Sequence, residues 1–357
     1  STDDFNIQKR FSNHSSQINH IDLAKWTDQF IIAPASANVI AKCALGIADD
    51  LLTTTYLSLE HKQVVICPAM NVVMLNQKIL QKHLNELKGR AHHTIFPTDF
   101  GLLACGDVGL GKLPKIEKIA LITETLGTVA EKVAAKTVKS FLITTGATLS
   151  PLDPIRYLTN ASSGVTGLIL AKYLLQKGHN VTVLAGVQAV AELDDLTMLP
   201  HFKLERAVTT SDLFQLVKKH LKHCDHFIAA AAPVDYEFAF QKEKIKKEQM
   251  SLPKSTLAPD ILAYVLKNRS KTQKVVGFAA ETTINQTILN EKWQRKKVDL
   301  LIGNSVHHGF SEKAVTETKG FGKNGGEYTF FAAGKIGSTK SLTKLELAES
   351  IYNFCMQ

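Results

Sequence analysis

Short apolar runs alternate along this chain with longer stretches in which apolar residues recur at helical spacing. In the first part, apolar runs begin at Gln29, Val64 and His93, and helical patterns cover residues 37–59 and 76–90. The alternation starts afresh after residue 138, with apolar runs over 141–146, 180–186, 225–232, 274–281 and 299–306. Such alternation is typical of parallel α/β folds. The pattern therefore predicts an α/β chain of two Rossmann-like, parallel-sheet domains.

A polar helical pattern over residues 123–137 separates the two series of apolar runs. We place the domain boundary near Ala135, which predicts domains over residues 1–135 and 136–357. The second domain is predicted to close with a hairpin within 320–334 and a terminal helix over 344–356. Functional side chains of such sheets gather where strands end at their carboxyl edge, and the unusual residue clusters of this chain stand at such ends.

Composition narrows the range of partners. The 357 residues carry a net charge of +9, but the lysines are scattered and few aromatic residues lie among them, which favours anionic small substrates over nucleic acid. The five cysteines show neither CxxC spacing nor a paired framework, which disfavours disulfides and zinc. Neither a membrane-spanning apolar run nor a signal-peptide core is present, so we expect a cytosolic protein with no membrane partner.

Four candidate functional clusters occupy the first part. Ser36 and Asn38 follow a strand and open a helix, so they either cap that helix or help it to hold a phosphate. Asn71 ends the next strand, where it is either a turn residue or an amide that binds a carboxylate. Cys105 lies in a glycine-rich loop, which is a poor place for a core cysteine and suggests a flap that carries a thiol. His20 begins an amphipathic helix and by itself would more often be a capping or surface residue.

The order of His20, "PASAN", "PAMN" and "ACGDVGLGKLP" resembles the flavin-dependent cysteine decarboxylases, and among them the phosphopantothenoylcysteine decarboxylase half of the bifunctional coenzyme A biosynthesis family. The resemblance implies a flavodoxin-like domain in which FMN oxidises the substrate thiol and the resulting thioaldehyde loses CO₂. It further implies that His20 acts as a base at the carboxylate, that Asn71 binds that carboxylate, and that Cys105 protonates the enethiolate. Ser36 and Asn38 are then FMN-binding residues.

This family begins with a strand and a glycine-serine loop that contributes to FMN phosphate binding. No such segment precedes His20. We therefore expect an amino-terminally truncated decarboxylase domain with an incomplete FMN site and inefficient decarboxylation.

The stretch Thr144–Gly167 joins a strand to a helix through a long polar loop. Gly146 suits a tight turn, and residues 162–164 suit a helix amino terminus that receives phosphate. A generic NAD-dependent reductase is one reading of such a loop. It is disfavoured because no G-x-G-x-x-G with an acidic residue some twenty positions on is present.

With "DPIRYLTNASSG", the stretches "AAAAPVDYEF", "EKIKK", "GFAAET" and "NEKWQRKKVDLLIGN" resemble the phosphopantothenate-cysteine ligase half of the same family, a modified Rossmann domain. The resemblance implies that CTP transfers a cytidylyl group to 4′-phosphopantothenate and that the amine of cysteine then displaces CMP, with Mg²⁺ as cofactor at a site that we cannot assign. Asn160 is matched to turnover of the acyl-cytidylate, with Arg156 beside it. The residues matched to CTP are Ala229, Ala230, Ala231, Asp235, Lys244, Pro259, Asp260, Ile261, Leu262, Phe278, Lys292 and Lys296.

Lys244 is expected to meet the phosphates, and Lys292 and Lys296, four residues apart, fall on one helix face from which both can reach the triphosphate. Active decarboxylases of the family place flavin between subunits, so we also expect a homo-oligomer. The competing hypotheses are a chain that only ligates and a non-catalytic, flavoprotein-like binding subunit.

Overall fold

The computed structural model describes residues 20–104, 106–127, 137–246, 253–282, 285–305, 310–311, 314–315, 325–332 and 335–357. The chain divides into two compact units, Ser1–Ala134 and Ala135–Gln357. Each contains parallel strands connected by helices, so the α/β prediction is confirmed. The assignment of residues 1–135 and 136–357 to two separate domains stays a prediction.

The first unit is built on a three-stranded parallel sheet in the order β1-β2-β3. Its strands are β1 (Gln29–Ala35), β2 (Gln63–Pro68) and β3 (His93–Ile95), followed by the antiparallel pair β4 (Asp99–Leu102) and β5 (Val108–Lys112). Its helices are α1 (His20–Trp26), α2 (Ala37–Leu45), α3 (Leu51–Leu57), α4 (Val72–Leu75), α5 (Lys78–Gly89) and α6 (Ile116–Leu126). Every residue of β2 is buried, because this strand lies between two others beneath the helices.

The helical pattern over residues 37–59 corresponds to two helices, α2 and α3, which the pattern did not separate. Gly46 ends α2 in the left-handed region, with φ of 74°, and its N–H donates to the Lys42 carbonyl. Glycine takes up this conformation without the steric cost of a Cβ. Asp50 then begins α3 through a capping box with Thr53. The predicted helix over 123–137 lies partly outside the described residues, and α6 ends before Gly127.

The second unit contains an eight-stranded sheet in the order β10-β9-β6-β11-β14-β15-β18-β19, in which the last two strands are antiparallel to their neighbours. Its strands are β6 (Ser140–Ala147), β9 (Asn180–Gly186), β10 (Phe202–Ala207), β11 (His226–Ala232), β14 (Lys274–Glu281), β15 (Leu300–Ser305), β18 (Gly326–Ala332) and β19 (Lys335–Leu342). Three small antiparallel pairs complete the strands: β7 (Leu149–Pro151) with β8 (Tyr157–Thr159), β12 (Tyr236–Phe238) with β13 (Ser255–Leu257), and β16 (Phe310–Ser311) with β17 (Ala314–Val315).

The α-helices described in this unit are α7 (Val165–Gln176), α8 (Glu192–Asp195), α9 (Thr210–His220), α10 (Ile261–Asn268), α11 (Gln286–Lys296) and α12 (Lys344–Met356). The longer ones pack in two groups. Helices α9, α10 and α11 share one apolar cluster with the sheet, whereas α12 packs on α7. After β6 the chain adds β9 and then β10 on one side of β6, and it then crosses back to add β11 on the other side. Right-handed crossovers therefore place α7 and α9 on opposite faces and create a topological switch point between β6 and β11.

The hairpin predicted within 320–334 is wrong in its bounds. The structure pairs β18 with β19, which extends to Leu342, and residues 320–324 lie outside the described part of the chain. Strand β19 is polar along most of its length, as an edge strand can be, so the apolar pattern does not reveal it. None of the described helices has the length and apolar character needed to cross a membrane.

Two histidines are buried at the amino edge of the second sheet. His179 and His226 both lie against the Phe141 ring, and His226 is only 4% exposed. Neither ring nitrogen of His226 has a hydrogen-bond partner among the residues that the structure describes. Burial lowers the pKa of His226 to about 4 and lowers the pKa of His179 as well, because a charged imidazole loses its hydration there. Both rings are therefore neutral in the folded protein at neutral pH.

We expect the second unit to lose stability as the pH falls from 6.5 towards about 4. The unfolded chain binds a proton at His226 throughout this window and the folded chain does not, so the free energy of unfolding falls by roughly 3 kcal/mol. Urea unfolding at neutral and at acidic pH measures the difference. His226→Leu should flatten the profile, whereas His223→Leu, at an exposed position, should leave it unchanged. An equally steep profile in His226→Leu would contradict the assignment.

Candidate functional site

The first two candidate clusters meet at the carboxyl edge of the β1-β2-β3 sheet. Ala35 at the end of β1 pairs with Pro68 at the end of β2, and the Ala69 N–H donates to the Ala35 carbonyl at 3.1 Å. Ser36 and Asn71 therefore follow adjacent strand ends. The Ser36 hydroxyl accepts the Val39 N–H at 3.3 Å, which confirms its capping role. Asn38 is exposed in the first turn of α2, and binding of FMN phosphate there stays a prediction.

Asn71 joins the turn after β2 to the glycine-rich segment. Its Oδ1 accepts the Val73 N–H at 2.7 Å and so caps α4. Its Nδ2 donates to Oδ2 of Asp107 at 2.9 Å, and Asp107 stands two residues after Cys105 in the chain. Cys105 itself lies outside the described residues. The structure thus brings Asn71 to the segment that carries the predicted thiol.

The glycines of this segment allow close packing of backbone on backbone. Residues 99–102 and 108–112 pair as the β4–β5 hairpin, and the Met70 N–H donates to the Gly111 carbonyl at 2.9 Å. A Cβ on Gly111, whose φ is 134°, would overlap the Met70 carbonyl oxygen, and one on Gly109 would touch Val72. Glycine at these positions therefore lets the hairpin lie directly on the turn that holds Asn71.

Gly111→Ala is expected to move the hairpin off the Met70 turn. Both the overlap and the left-handed φ oppose a methyl group, so the cost should be about 2 kcal/mol or more. Thermal unfolding measures the effect. Gly89→Ala is the matched control, because nothing lies within 4 Å of a Cβ at that position. Equal behaviour of the two variants would refute this account of the hairpin.

His20 is the first residue of α1 and is half-buried. Helix α1 packs on α3. The structure therefore does not show His20 beside the Asn71 turn, and its action as a base stays a prediction.

Asn160 bridges the switch point of the second sheet. Its Nδ2 donates to the carbonyls of Ala232 at 3.1 Å and Pro233 at 2.9 Å, at the carboxyl end of β11. Its Oδ1 accepts no hydrogen bond from the described residues, and the residue as a whole is exposed. The loop from β6 is thus tied to the strand that carries Ala229, Ala230 and Ala231. This is the edge at which a doubly wound sheet binds its ligands.

Arg156, predicted to act beside Asn160, is held in an internal ion pair. Its Nε and one terminal nitrogen donate to Asp153 at 2.9 and 2.5 Å, and the same terminal nitrogen donates to the Ile245 carbonyl at 2.7 Å. Asp153, whose side chain is buried, also accepts the Ile245 N–H at 3.1 Å. Arg156 hydrogen bonds, with help from backbone N–H groups, hold the pKa of Asp153 well below its usual range. The pair positions the loop that carries Lys244, and Arg156 contact with substrate stays a prediction.

Sequence reasoning missed Asp153, although the Asp-Pro-x-Arg spacing signals an aspartate that can accept hydrogen bonds from the residues just after it. It also missed Arg206, whose guanidinium donates to the carbonyls of Gly186 and Ala189. Ala189 in turn packs where a Cβ on Gly146 or Gly164 would lie only 2.8 Å away. Arg206 therefore supports the loop that packs on both glycines.

The two predicted triphosphate lysines have acidic partners. Lys292 pairs with Glu281, and Lys296 pairs with Asp260. Asp260 also caps α10 through the Ala263 N–H at 2.9 Å. Burial alone would raise its pKa, but Lys296 and the cap hold the pKa below its ordinary value. Contact of these lysines with a triphosphate stays a prediction that requires exchange of carboxylate for phosphate.

The remaining predicted nucleotide residues surround the ends of β11 and β14. Asp235 and Lys244 are exposed after β11, residues 259–262 cover the start of α10, and Phe278 is half-buried on β14. The Asp235 carbonyl accepts the Ala258 N–H at 2.8 Å, which brings the loop before α10 to the end of β11. No cluster of three or more metal-ligating side chains occurs in the parts of the chain described above.

Comparison with known proteins covers both units. The family described as Flavoprotein matches residues 2–127, and the family described as DNA/pantothenate metabolism flavoprotein C-terminal domain matches residues 137–357. The coenzyme A biosynthesis bifunctional protein CoaBC of Haemophilus influenzae is 34% identical over 293 residues, which are 81% of this chain and 70% of that protein. The Escherichia coli K12 protein of the same name is 34% identical over 292 residues, 80% of this chain and 69% of its own length.

A cysteine/cysteine sulfinic acid decarboxylase from an unknown prokaryotic organism is also 34% identical, over 80% of this chain and 79% of its own. Among solved structures, the C-terminal domain of a CoaBC protein is 24% identical, with a TM-score of 0.46 over 60% of this chain and 92% of that one.

Proposed function

Because this chain belongs to the coenzyme A biosynthesis bifunctional CoaBC family, we propose that it ligates cysteine to 4′-phosphopantothenate and then decarboxylates the product to 4′-phosphopantetheine. The observation that carries this function is the match to family members across both units, at 34% identity over 81% of the chain. The ligase-only and binding-subunit alternatives are not favoured, because the match includes the flavoprotein unit. The chain functions as a ligase and as an FMN-dependent decarboxylase.

In the proposed ligation, the carboxylate of 4′-phosphopantothenate attacks the α-phosphorus of CTP and pyrophosphate leaves. The amine of cysteine then attacks the acyl carbon, and CMP leaves with the bonding electron pair. Asn160 is suited to act in turnover of the acyl-cytidylate, because its Nδ2 is fixed on two carbonyls at the end of β11. The exposed Lys244, with Mg²⁺, supplies positive charge for the phosphates.

The carboxyl edge of the first unit fits FMN. The N–H groups of the first turn of α2, capped by Ser36, suit a phosphate, and the exposed apolar Val73 and Met74 next to Asn71 suit an apolar ring system. When bound, FMN supplies the oxidation of the substrate thiol that labilises the carboxylate. Asn71 is proposed to orient that carboxylate, His20 to act on it as a base, and Cys105 to protonate the enethiolate that remains.

The β4–β5 hairpin supports a homo-oligomer. Its outward face carries two cross-strand pairs, Phe100 with Leu110 and Leu102 with Val108, and all four side chains are more than half exposed. A contiguous apolar face of this kind marks an interaction surface. We propose a second copy of the chain as the partner, and the molar mass from sedimentation equilibrium tests this proposal.

Pyrophosphate release from CTP, with 4′-phosphopantothenate and cysteine present, tests the ligase. We expect turnover with CTP, less with ATP, and CO₂ release when FMN is added. Absorbance of protein-bound flavin is recorded on the same sample. Absence of cysteine-dependent pyrophosphate release with both nucleotides would overturn the ligase, and flavin binding without CO₂ release would overturn the decarboxylase.

A further inference from the structure

Lys344 is a buried cation at the first turn of α12. The residue is 4% exposed, and its Nζ donates to the Thr166 hydroxyl at 2.8 Å. Thr166 lies in the first turn of α7, directly after Gly164 and Val165. Because helical side chains tilt towards the amino terminus of their helix, the Thr166 hydroxyl and the Lys344 ammonium lie towards the end of α7 that the Asn160–Gly164 loop enters.

The charge of Lys344 has no carboxylate partner among the described residues. The acid nearest to it in sequence, Glu346, is engaged in the capping box of α12, where it accepts from the Thr343 N–H at 2.7 Å and the Thr343 hydroxyl at 2.8 Å. An ammonium has three donors, and Thr166 is the described acceptor for one of them. Buried lysines are rare unless they are paired.

The position makes this cation costly in the absence of an anion. Lys344 lies in the first turn of one helix and contacts the first turn of another. The amino termini of both helices carry positive partial charge, so the ammonium and the helix ends repel one another. A buried cation at two helix amino termini is instead the arrangement that stabilises a bound dianion.

We infer that Lys344 is a substrate-binding residue, and that its ammonium is the counter-charge for the phosphate monoester of 4′-phosphopantothenate at the first turn of α7. The inference rests on the proposed ligase function and adds a residue to that site. The phosphate of this substrate is favoured over those of CTP for a topological reason. The lysines proposed for CTP belong to α11 on one face of the sheet, whereas Lys344 belongs to the α7–α12 group on the opposite face.

Michaelis constants of Lys344→Met for each substrate test the inference. Methionine keeps the buried stem but not the charge, so the fold should persist. We expect the KM for 4′-phosphopantothenate to rise by at least about tenfold, which corresponds to ~1.4 kcal/mol. The KM for CTP should stay within about twofold of the wild-type value. Lys344→Arg should recover part of the loss, because it restores the charge.

Lys340→Met is the matched control, since Lys340 is exposed on β19, and neither KM should change in it. An unchanged KM for 4′-phosphopantothenate in Lys344→Met, or an equal rise in both constants, would overturn the inference. If the wild-type protein shows no CTP-dependent turnover, the proposed function fails separately, and inorganic phosphate then serves as the probe. Phosphate should raise the unfolding temperature of the wild type and not that of Lys344→Met, and an equal response, or none in either protein, would again overturn it.

Discussion

Replacing Asn160 with aspartate is expected to lower kcat for cysteine ligation by at least about a hundredfold, because two amide donors are lost and a negative charge takes their place. The Asn160 Nδ2 lies 3.1 and 2.9 Å from the carbonyl oxygens of Ala232 and Pro233. A carboxylate oxygen in that position would repel both, so the loop would leave the end of β11. The acyl group would then lose its position at the switch point between β6 and β11.

Single-turnover formation of the acyl-cytidylate and its consumption by cysteine are measured separately for this variant. Asn268→Asp is the control, because Asn268 makes the same kind of contact with the Tyr264 carbonyl, at 2.8 Å, at the far end of α10. Ligation in the control should match that of the wild type. If Asn160→Asp retains wild-type kcat with the loop in place, Asn160 has no part in the reaction.

Asp153→Asn is expected to release the Lys244 loop and to lower the unfolding temperature by roughly 5–10 °C. One oxygen of Asp153 accepts the backbone N–H groups of Ile155 and Arg156. The other accepts both Arg156 side-chain donors and the Ile245 N–H. Asparagine presents an NH₂ group to one of these sets of donors, and the Arg156 guanidinium is then left without its anion.

Calorimetric unfolding and the KM for CTP report the two consequences, and we expect the KM to rise because Lys244 precedes the freed Ile245. Asp194→Asn is the matched control. It breaks the ion pair of Asp194 with Arg206, in which the aspartate side chain is 58% exposed, and exposed pairs contribute little. Similar unfolding temperatures for the two variants would show that Asp153 does not organise the loop.

The regular elements of the second unit could be predicted from sequence because the sheet buries its strands on both faces. The runs over 180–186 and 274–281 and the helix over 344–356 coincide with β9, β14 and α12. Asn160 could be placed only in the polar loop between β6 and α7, and its expected role came from the family resemblance. Strand β19 could not be found, since an edge strand tolerates polar residues on both faces.

The rest of the candidate site could not be predicted from sequence, because it depends on contacts between residues that lie far apart in the chain. The Asp153–Ile245 hydrogen bond spans 92 positions, and that between Lys344 and Thr166 spans 178. A pattern with a period of two or four residues contains no information about such pairs. The partners of Lys292 and Lys296, which are Glu281 and Asp260, likewise follow from how α11 lies against its neighbours, and i,i+4 spacing identifies only the shared face.

The docking of α12 on α7 bears on protein synthesis. Leu347, Ala348 and Ile351 of α12 are almost fully buried, yet this helix is translated long after α7 has left the ribosome. Until then the nascent chain exposes the apolar surface that α12 will cover, and the first turn of α7 lacks its contact with Lys344. We therefore expect ligase activity to arise only when synthesis reaches α12, and chains released before that point to depend on chaperones for their solubility.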